Sequence, residues 1–382
     1  MGTIVALRGP EAAGKSMLHT LMIRGQSQYW ASSRLDGIRR HNSAFGIPTA
    51  FVFAYEGGLP LLPLVERAIA DKDYLVLETV DADHGLLKEA CGNFDLLRTW
   101  LVLPKWLLEA RRRYRLIRPG WTTAENVEQH PIRGRHSRNM FCSDNLQREY
   151  DLSPETMLTI DARDFPMVEV PFDEAMRITE NRVDVFDLGR LHYQKAVRVG
   201  DQWYGPEDAI PFQRGRFDTI LPADMTGMDV LDVGARNGAF CFESINRGAL
   251  WAVAVENAPE AVAIIKQLRN KHECHVTVAD IDIEKAALPR MQFKPLVAAP
   301  VRYSLALLTN ILHHVKAPDV LLKSALMISD AAVIETPPLL GKRWPGWVYA
   351  VADSCGCAVT SIEPATVHPE SRHIVRIERV TG

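Results

Sequence analysis

The chain has 382 residues, 47% hydrophobic and 24% charged, with a formal net charge of −3. That length exceeds one ordinary domain and fits two, each with its own core, and the apolar-to-charged balance excludes long disorder. The small negative charge excludes a broad electrostatic footprint for long nucleic acid and leaves only a local basic patch at residues 111–118.

Residues 3–7 (TIVAL) are an apolar, β-branched run that predicts a buried strand. The run leads into Gly9-Pro10-Glu11-Ala12-Ala13-Gly14-Lys15-Ser16, a complete G-x-x-x-x-G-K-[ST] loop, and residues 16–23 carry the spacing of a first helix. In such a loop, backbone N–H groups and a lysine ammonium converge on phosphate oxygens, the helix N-terminus favours the anion, and the serine hydroxyl helps hold magnesium. Gly9, Gly14, Lys15 and Ser16 are therefore the candidate ligands of ATP, with Ser16 on Mg2+ and Lys15 acting on the phosphoryl group; the competing reading is a decayed loop.

Some twenty residues on, Asp36 and Arg39 stand three apart in Arg34-Leu35-Asp36-Gly37-Ile38-Arg39. Asp36 is the candidate base for an attacking hydroxyl and Arg39 the candidate anchor for the acceptor or a phosphate, although Asp is also a favoured helix cap. Residues 74–77, 98–103 and 157–160 are further predicted strands, separated by helical spacing, which is the alternation of a parallel α/β sheet. Glu78 closes one of them and is a candidate outer acid for magnesium, where Asp is more usual. After the strand at 98–103 comes a predicted helix ending in arginines. There Arg111 and Arg115 are candidate lid residues over a transferring phosphoryl group, against the competing reading of a solvated helix face. Through the loop, the Asp-x-x-Arg segment and the arginines, residues 1 to about 165 resemble P-loop kinases that act on small molecules and polynucleotides, which implies a P-loop NTPase fold for a first domain at 1–168.

Phe165-Pro166 and Val170-Pro171 punctuate a stretch of weak periodicity, so a linker is expected at 169–190 and a second domain at 191–382. In that domain, predicted strands fall at 230–233, 251–255, 276–279, 303–308 and 331–335, with 357–362 and 372–377 as a closing antiparallel hairpin. Seven strands in this pattern suit a doubly wound sheet with a ligand at the carboxyl ends of the first strands.

Residues 230–248 read VLDVGARNGAFCFESINRG. They resemble the first motif of class I S-adenosylmethionine-dependent methyltransferases, the nearest likeness being to the tRNA wobble-uridine alkyltransferase group, through Phe240-Cys241-Phe242-Glu243 and Arg247-Gly248-Ala249; the similarity covers about 190–340. The resemblance implies a Rossmann-like methyltransferase fold and S-adenosylmethionine as cofactor. It implies that Gly234 and Gly238 let the backbone approach the methionine portion and that Asp232 orients its ammonium. Glu256 would accept both ribose hydroxyls, and Asp280 with the Ile281 N–H would take the adenine. Arg236 stands where a third glycine is common. In Asn310-Ile311-Leu312-His313-His314-Val315, His314 matches the family histidine and is expected to orient substrate, and His313 replaces an aromatic residue and is a candidate base; a structural histidine is the competing reading for each. Trp203-Tyr204 and Arg214-Gly215-Arg216-Phe217 precede the first strand of the domain, where a lid over the acceptor is expected, with core packing as the alternative.

The six cysteines contain no Cys-x-x-Cys pair, so zinc is not expected. No run of eighteen uncharged apolar residues occurs and the first residues enter a strand directly, so the expectation is a cytoplasmic protein with no membrane partner. The sequence-level expectation is a bifunctional enzyme of two doubly wound α/β domains. It joins an ATP-dependent kinase to a methyltransferase acting on a hydroxylated nucleoside, nucleic-acid end or saccharide. The alternatives are a methyltransferase gated by a degenerate nucleotide domain, and a nucleotide-responsive RNA-binding protein.

Overall fold

The computed structural model describes residues 3–9, 15, 18, 30–31, 50–53, 74–78, 95–118, 120, 122–123, 126, 143–182, 196–285, 288, 302–337, 345–365 and 372–380. The chain divides into two compact α/β units at Arg182/Val183.

In the amino-terminal unit the strands are β1 (Thr3–Arg8), β2 (Trp30–Ala31), β3 (Ala50–Phe53), β4 (Tyr74–Glu78), β5 (Asp95–Val102), β6 (Met157–Asp161) and β7 (Met167–Val170), in the order β2-β7-β6-β5-β1-β4-β3. β1 lies parallel between β4 and β5, β3 adds to β4 and β6 to β5, also parallel, and only β7 runs antiparallel to its neighbour β6. Ile4, Val5, Ala6 and Leu7 are each 0% exposed, as expected for a strand covered on both faces, which is why this segment is apolar without alternation. β1 holds the central place of the parallel strands β3-β4-β1-β5-β6, and ligands of α/β sheets bind beyond the carboxyl ends of such strands.

Helices α1 (Lys105–Ile117), α2 (Ser143–Leu152) and α3 (Phe172–Thr179) complete the described part of this unit. Leu146, Ala175 and Ile178 from α2 and α3 pack on Trp100, Val102 and Met157 of the sheet. Within the segment expected as a linker, the end of β7 and all of α3 are regular structure. Pro166 and Pro171 are punctuation of another kind: they stand just before β7 and at the amino end of α3, where a missing N–H removes no ladder or helix bond.

The carboxyl-terminal unit opens with an antiparallel hairpin, β8 (Val197–Val199) and β9 (Gln202–Tyr204), followed by α4 (Ile210–Ile220). Its main sheet comprises β10 (Asp229–Val233), β11 (Trp251–Glu256), β12 (Val276–Asp280), β13 (Tyr303–Thr309), β14 (Ser329–Thr336), β15 (Cys357–Pro364) and β16 (His373–Arg379), in the order β12-β11-β10-β13-β14-β16-β15. β10 to β14 are parallel, and β16 inserts antiparallel between β14 and β15. The expected closing hairpin is therefore present, with its second strand in the interior place. Helices α5 (Ala239–Asn246), α6 (Pro259–His272), α7 (Pro318–Met327) and α8 (Gly346–Ser354) belong to this unit. Asp229 is fully buried and accepts hydrogen bonds from the Ser304 hydroxyl (2.7 Å) and backbone N–H (3.2 Å), tying β10 to β13 across 75 residues of sequence. No helix among the described residues is long and apolar enough to cross a membrane.

Candidate active site

The site of the carboxyl-terminal unit grows from the turn that ends β10. Its N–H groups at Gly234 and Ala235 both donate to the Val255 carbonyl, at 2.9 and 3.1 Å, which folds the chain sharply over the end of β11. Three residues of the turn are left-handed: Gly234 (φ 74°), Arg236 (φ 52°) and Gly238 (φ 75°). The left-handed geometry at Arg236 explains why a third glycine would suit that position. At Gly234 space is also limiting, since a Cβ there would lie 2.8 Å from Ile311 Cδ1.

Glu256, 7% exposed at the end of β11, accepts three backbone hydrogen bonds: Oε2 from Arg236 N–H (2.8 Å), Oε1 from Asn257 N–H and Ala258 N–H (2.9 Å each). An ionised carboxylate has about four acceptor sites. Roughly one therefore remains, on Oε2, fewer than the two-pronged grip on a ribose diol expected from the sequence would use. The carboxylate also fixes the β10 turn through Arg236.

These elements enclose a cavity of ≈ 380 Å³ whose wall includes Gly234, Phe240, Glu256, Ile281, Asn310 and His314. That volume lies in the range of small-ligand sites, and the place is the switch point between β10 and β13. Two expected acids stand elsewhere. Asp232 is 1% exposed and accepts from the Cys241 thiol (Sγ to Oδ2 3.7 Å), behind the turn and off the cavity wall. Burial first, and then Asp232, push the Cys241 thiol well above its ordinary range. Asp280 is exposed at the end of β12 and also lies off the wall, while its neighbour Ile281 is on it, 7% exposed.

His313 and His314 share a short helical turn, Leu312–His314, with ring centroids 4.0 Å apart. His314 borders the cavity and His313 does not. Partial burial, then the charges of His314 and Arg372, lower the His313 pKa from its ordinary 6.5. Folding therefore favours the neutral ring. Its contribution to stability is complete above pH 6.5 and is lost as the pH falls through the lowered value. An NMR titration is expected to give His313 a midpoint below 6.5, and a midpoint at or above that value would contradict the arrangement.

A polar network that strand-end reasoning overlooked sits beside this cavity. Glu335, 1% exposed on β14, forms an ion pair with Arg216 of α4, itself 2% exposed. Asn310, left-handed at φ 59°, donates its N–H to the Glu335 carbonyl (2.7 Å) and accepts from Arg372 Nη1 (2.9 Å) through Oδ1. The Arg216 guanidinium lies 5.0 Å over the Phe240 ring. Of the expected lid residues, Tyr204, Arg216 and Phe217 are buried and Trp203 stacks on Phe217 at 6.2 Å, whereas Arg214 is exposed and lies 5.8 Å over Trp203. Glu335 carried a legible signal, because it is near the carboxyl end of its strand as Glu256 is of β11.

In the amino-terminal unit, Gly9 has φ 129°, and a Cβ there would lie 3.0 Å from the Leu101 carbonyl oxygen of β5. Lys15 is 4% exposed and its Nζ donates to the Gly9 carbonyl at 2.8 Å, so its ammonium is folded onto the loop's first residue. Arg111 departs from the expected lid role: it is 2% exposed and its Nη2 donates to the carbonyls of Ala162 (2.7 Å) and Arg163 (3.1 Å), bracing α1 against the turn after β6. Its position on the inward face of α1, beside buried Leu107, Leu108 and Tyr114, accounts for this. Arg115 is half-buried on the same helix. Gly14, Ser16, Asp36 and Arg39 lie outside the described residues. The side chain of Glu78 does too.

No protein-family model matches the chain, and no curated protein matches it. Among solved structures it is similar to an S-adenosylmethionine dependent methyltransferase from Mesorhizobium loti, at 18% identity over 43% of this chain and 95% of that one, TM-score 0.34. It is similar to magnesium protoporphyrin IX methyltransferase from Synechocystis PCC 6803, at 11% identity over 46% of this chain and 85% of that one, TM-score 0.36. It is also similar to the [4+2]-cyclase SpnF, at 12% identity over 46% and 82%, TM-score 0.36.

Proposed function

We propose that the carboxyl-terminal unit is an S-adenosylmethionine-dependent methyltransferase acting on a hydroxylated nucleoside, nucleic-acid end or saccharide. The observation that carries this reading is the cavity at the switch point, floored by a turn that only glycine fits at residue 234 and ringed by Glu256, Ile281 and Asn310 from the ends of three further strands. Its wall suits the cofactor: Gly234 brings backbone close, the free site on Glu256 Oε2 meets one ribose hydroxyl, and Ile281 offers apolar surface to the adenine. The cofactor, when bound, supplies a methyl group on a positively charged sulfur. Transfer then needs alignment above all, which is the work of a rigid wall. His314, on that wall, is within reach of an acceptor hydroxyl there, and the neutral His313 beside it can take on a proton as it is lost.

The amino-terminal unit is read as an ATP-dependent, magnesium-requiring kinase. The G-x-x-x-x-G-K-[ST] sequence following the central strand of a β3-β4-β1-β5-β6 parallel sheet supports this, together with a Lys15 ammonium already drawn to the Gly9 carbonyl. Phosphate oxygens would replace that carbonyl as a partner.

Calorimetry with S-adenosylmethionine and with ATP plus magnesium tests both halves. Wild type is expected to bind both, and Lys15→Ala to lose ATP by on the order of tenfold or more while keeping S-adenosylmethionine. Absence of S-adenosylmethionine binding in wild type would end the methyltransferase reading. ATP binding unchanged by Lys15→Ala would end the kinase one. If ATP binds, no acceptor is phosphorylated and Lys15→Ala slows methylation, the amino-terminal unit gates its neighbour instead.

A further inference from the structure

α4 carries a side chain that neither the cofactor site nor the core uses. Gln213 is 0% exposed, and among the described residues neither its Oε1 nor its Nε2 has a hydrogen-bond partner; on the same helix, Arg216 Nη1 is likewise buried without one. Leaving a buried polar group unmet costs about 1–3 kcal/mol. Two unmet ends of one amide, one turn from an unmet guanidinium nitrogen, are therefore a considerable burden on a helix whose buried face is otherwise Phe217 and Ile220.

The course of α4 locates them. At its far end, the Leu221 and Pro222 carbonyls accept from Arg247 Nη1 at 3.2 and 3.1 Å, and Met225 N–H donates to the Arg247 carbonyl, which places this end beside the amino edge of the sheet. Arg216 instead reaches Glu335 near the carboxyl end of β14 and lies over Phe240, a wall residue of the cavity. The helix thus runs from the carboxyl edge toward the amino edge. Gln213, one turn before Arg216 on the same face, lies roughly 4.5 Å further toward the carboxyl edge, the side of the sheet on which the cavity lies, though it is not itself on the cavity wall.

We propose that Gln213, with Arg216 Nη1 beside it, is the recognition point for the methyl acceptor and takes a carboxamide or lactam edge. This rests on reading the cavity as a methyltransferase site and adds the acceptor's chemical class to it. A primary amide presents one donor and one acceptor side by side, so the group that satisfies both at once presents the same pair in reverse, as a carboxamide or lactam does. A carboxylate or phosphate only accepts, and would set an anion against Oε1. The Arg216 charge is already matched by Glu335, which leaves no net cation beside Gln213 to reward such an anion. A lone hydroxyl can bridge both ends of the amide, but only through two bent hydrogen bonds, whereas a carboxamide or lactam makes two near-linear ones. Gln213 is closed off in this structure, so binding includes the cost of opening the first turn of α4 and fragment affinity is weak.

The test is saturation-transfer NMR on the full chain with benzamide, benzoate and phenyl phosphate as probes, with and without S-adenosylhomocysteine. The variants are Gln213→Leu, which keeps volume and removes polarity, and Gln213→Glu, which only accepts when ionised. Wild type is expected to give a benzamide signal that falls at least about fivefold in both variants, a loss of about 1 kcal/mol in binding by the tenfold-per-1.4 rule. Benzoate and phenyl phosphate are expected to give none. Hydrogen-exchange protection of the β13 and β14 amides in Gln213→Leu no lower than in wild type establishes that the variant folds. Benzamide binding equal in wild type and Gln213→Leu, no benzamide signal in wild type, or a stronger signal from benzoate or phenyl phosphate, each overturns the proposal. Calorimetry of S-adenosylhomocysteine separates the two readings: its failure in wild type refutes the cofactor site, whereas its success with loss of the benzamide result refutes Gln213 alone.

Discussion

Gly234→Ala is expected to weaken S-adenosylmethionine binding by on the order of 100-fold, corresponding to about 2.7 kcal/mol. Two effects add. At φ 74° an alanine adopts the left-handed region at a cost of about 1 kcal/mol. The new Cβ would also stand 2.8 Å from Ile311 Cδ1, 3.1 Å from its Cγ1 and 3.3 Å from its Cβ. The tip of an isoleucine can rotate, but here the whole side chain is approached, and Ile311 is itself a wall residue of the cavity. Relief therefore pushes Ile311 into the volume the cofactor would fill. Gly200→Ala separates strain from space: its φ is 58° and nothing lies within 4 Å of the new Cβ. That variant is expected to lose about 1 kcal/mol of stability and to keep its affinity. Calorimetry of both variants checks this, and equal affinity for Gly234→Ala and wild type would remove the turn from the cofactor site.

Arg216→Met is expected to destabilise the carboxyl-terminal unit by about 3–5 kcal/mol, because it leaves the Glu335 carboxylate buried and without its cation. Glu335→Met should cost a similar amount for the converse reason. The double variant should be more stable than either single one, since two apolar side chains of similar volume replace a pair whose desolvation largely offset its attraction. A single melting curve is a poor measure in a chain of two units. Hydrogen exchange at the amides of β13 and β14 reports on the right region. Protection in Arg216→Met within about 1 kcal/mol of wild type would show the pair to be solvated in solution.

The long parallel strands such as β1 and β11 were legible because burial on both faces demands unbroken apolar runs, whereas the short β2 (Trp30–Ala31) and β3 (Ala50–Phe53) were not predicted, having too few residues to show a pattern. Glycine spacing at 234 and 238 was legible for the same local reason: a left-handed turn at a strand end selects its residue from within a few positions. Which acids face the ligand was not. Asp232, Glu256 and Asp280 all sit in the last two positions of their strands, yet one lies behind the turn, one holds the turn and one faces solvent. Those differences depend on strand twist and on neighbours distant in sequence. Arg111 shows the same limit on a helix, where one step around the axis separates a solvated arginine from one bonded to buried carbonyls. Gln213 had no signal at all, because an unmet amide is a property of what surrounds it.

The interior place of β16 bears on the order in which the molecule is built. A chain emerging from its amino end has all seven strands of the first sheet once Val170 is made, and that unit can close while its neighbour is still incomplete. The second sheet must wait. β15 precedes β16 in the chain but reaches the sheet only through it, so until His373–Arg379 arrives, β14 presents an open edge and β15 has no partner in the sheet. During that interval the nascent unit carries an unpaired parallel-sheet edge, the feature that invites wrong pairing between chains, which makes this half the one that most needs shielding during synthesis.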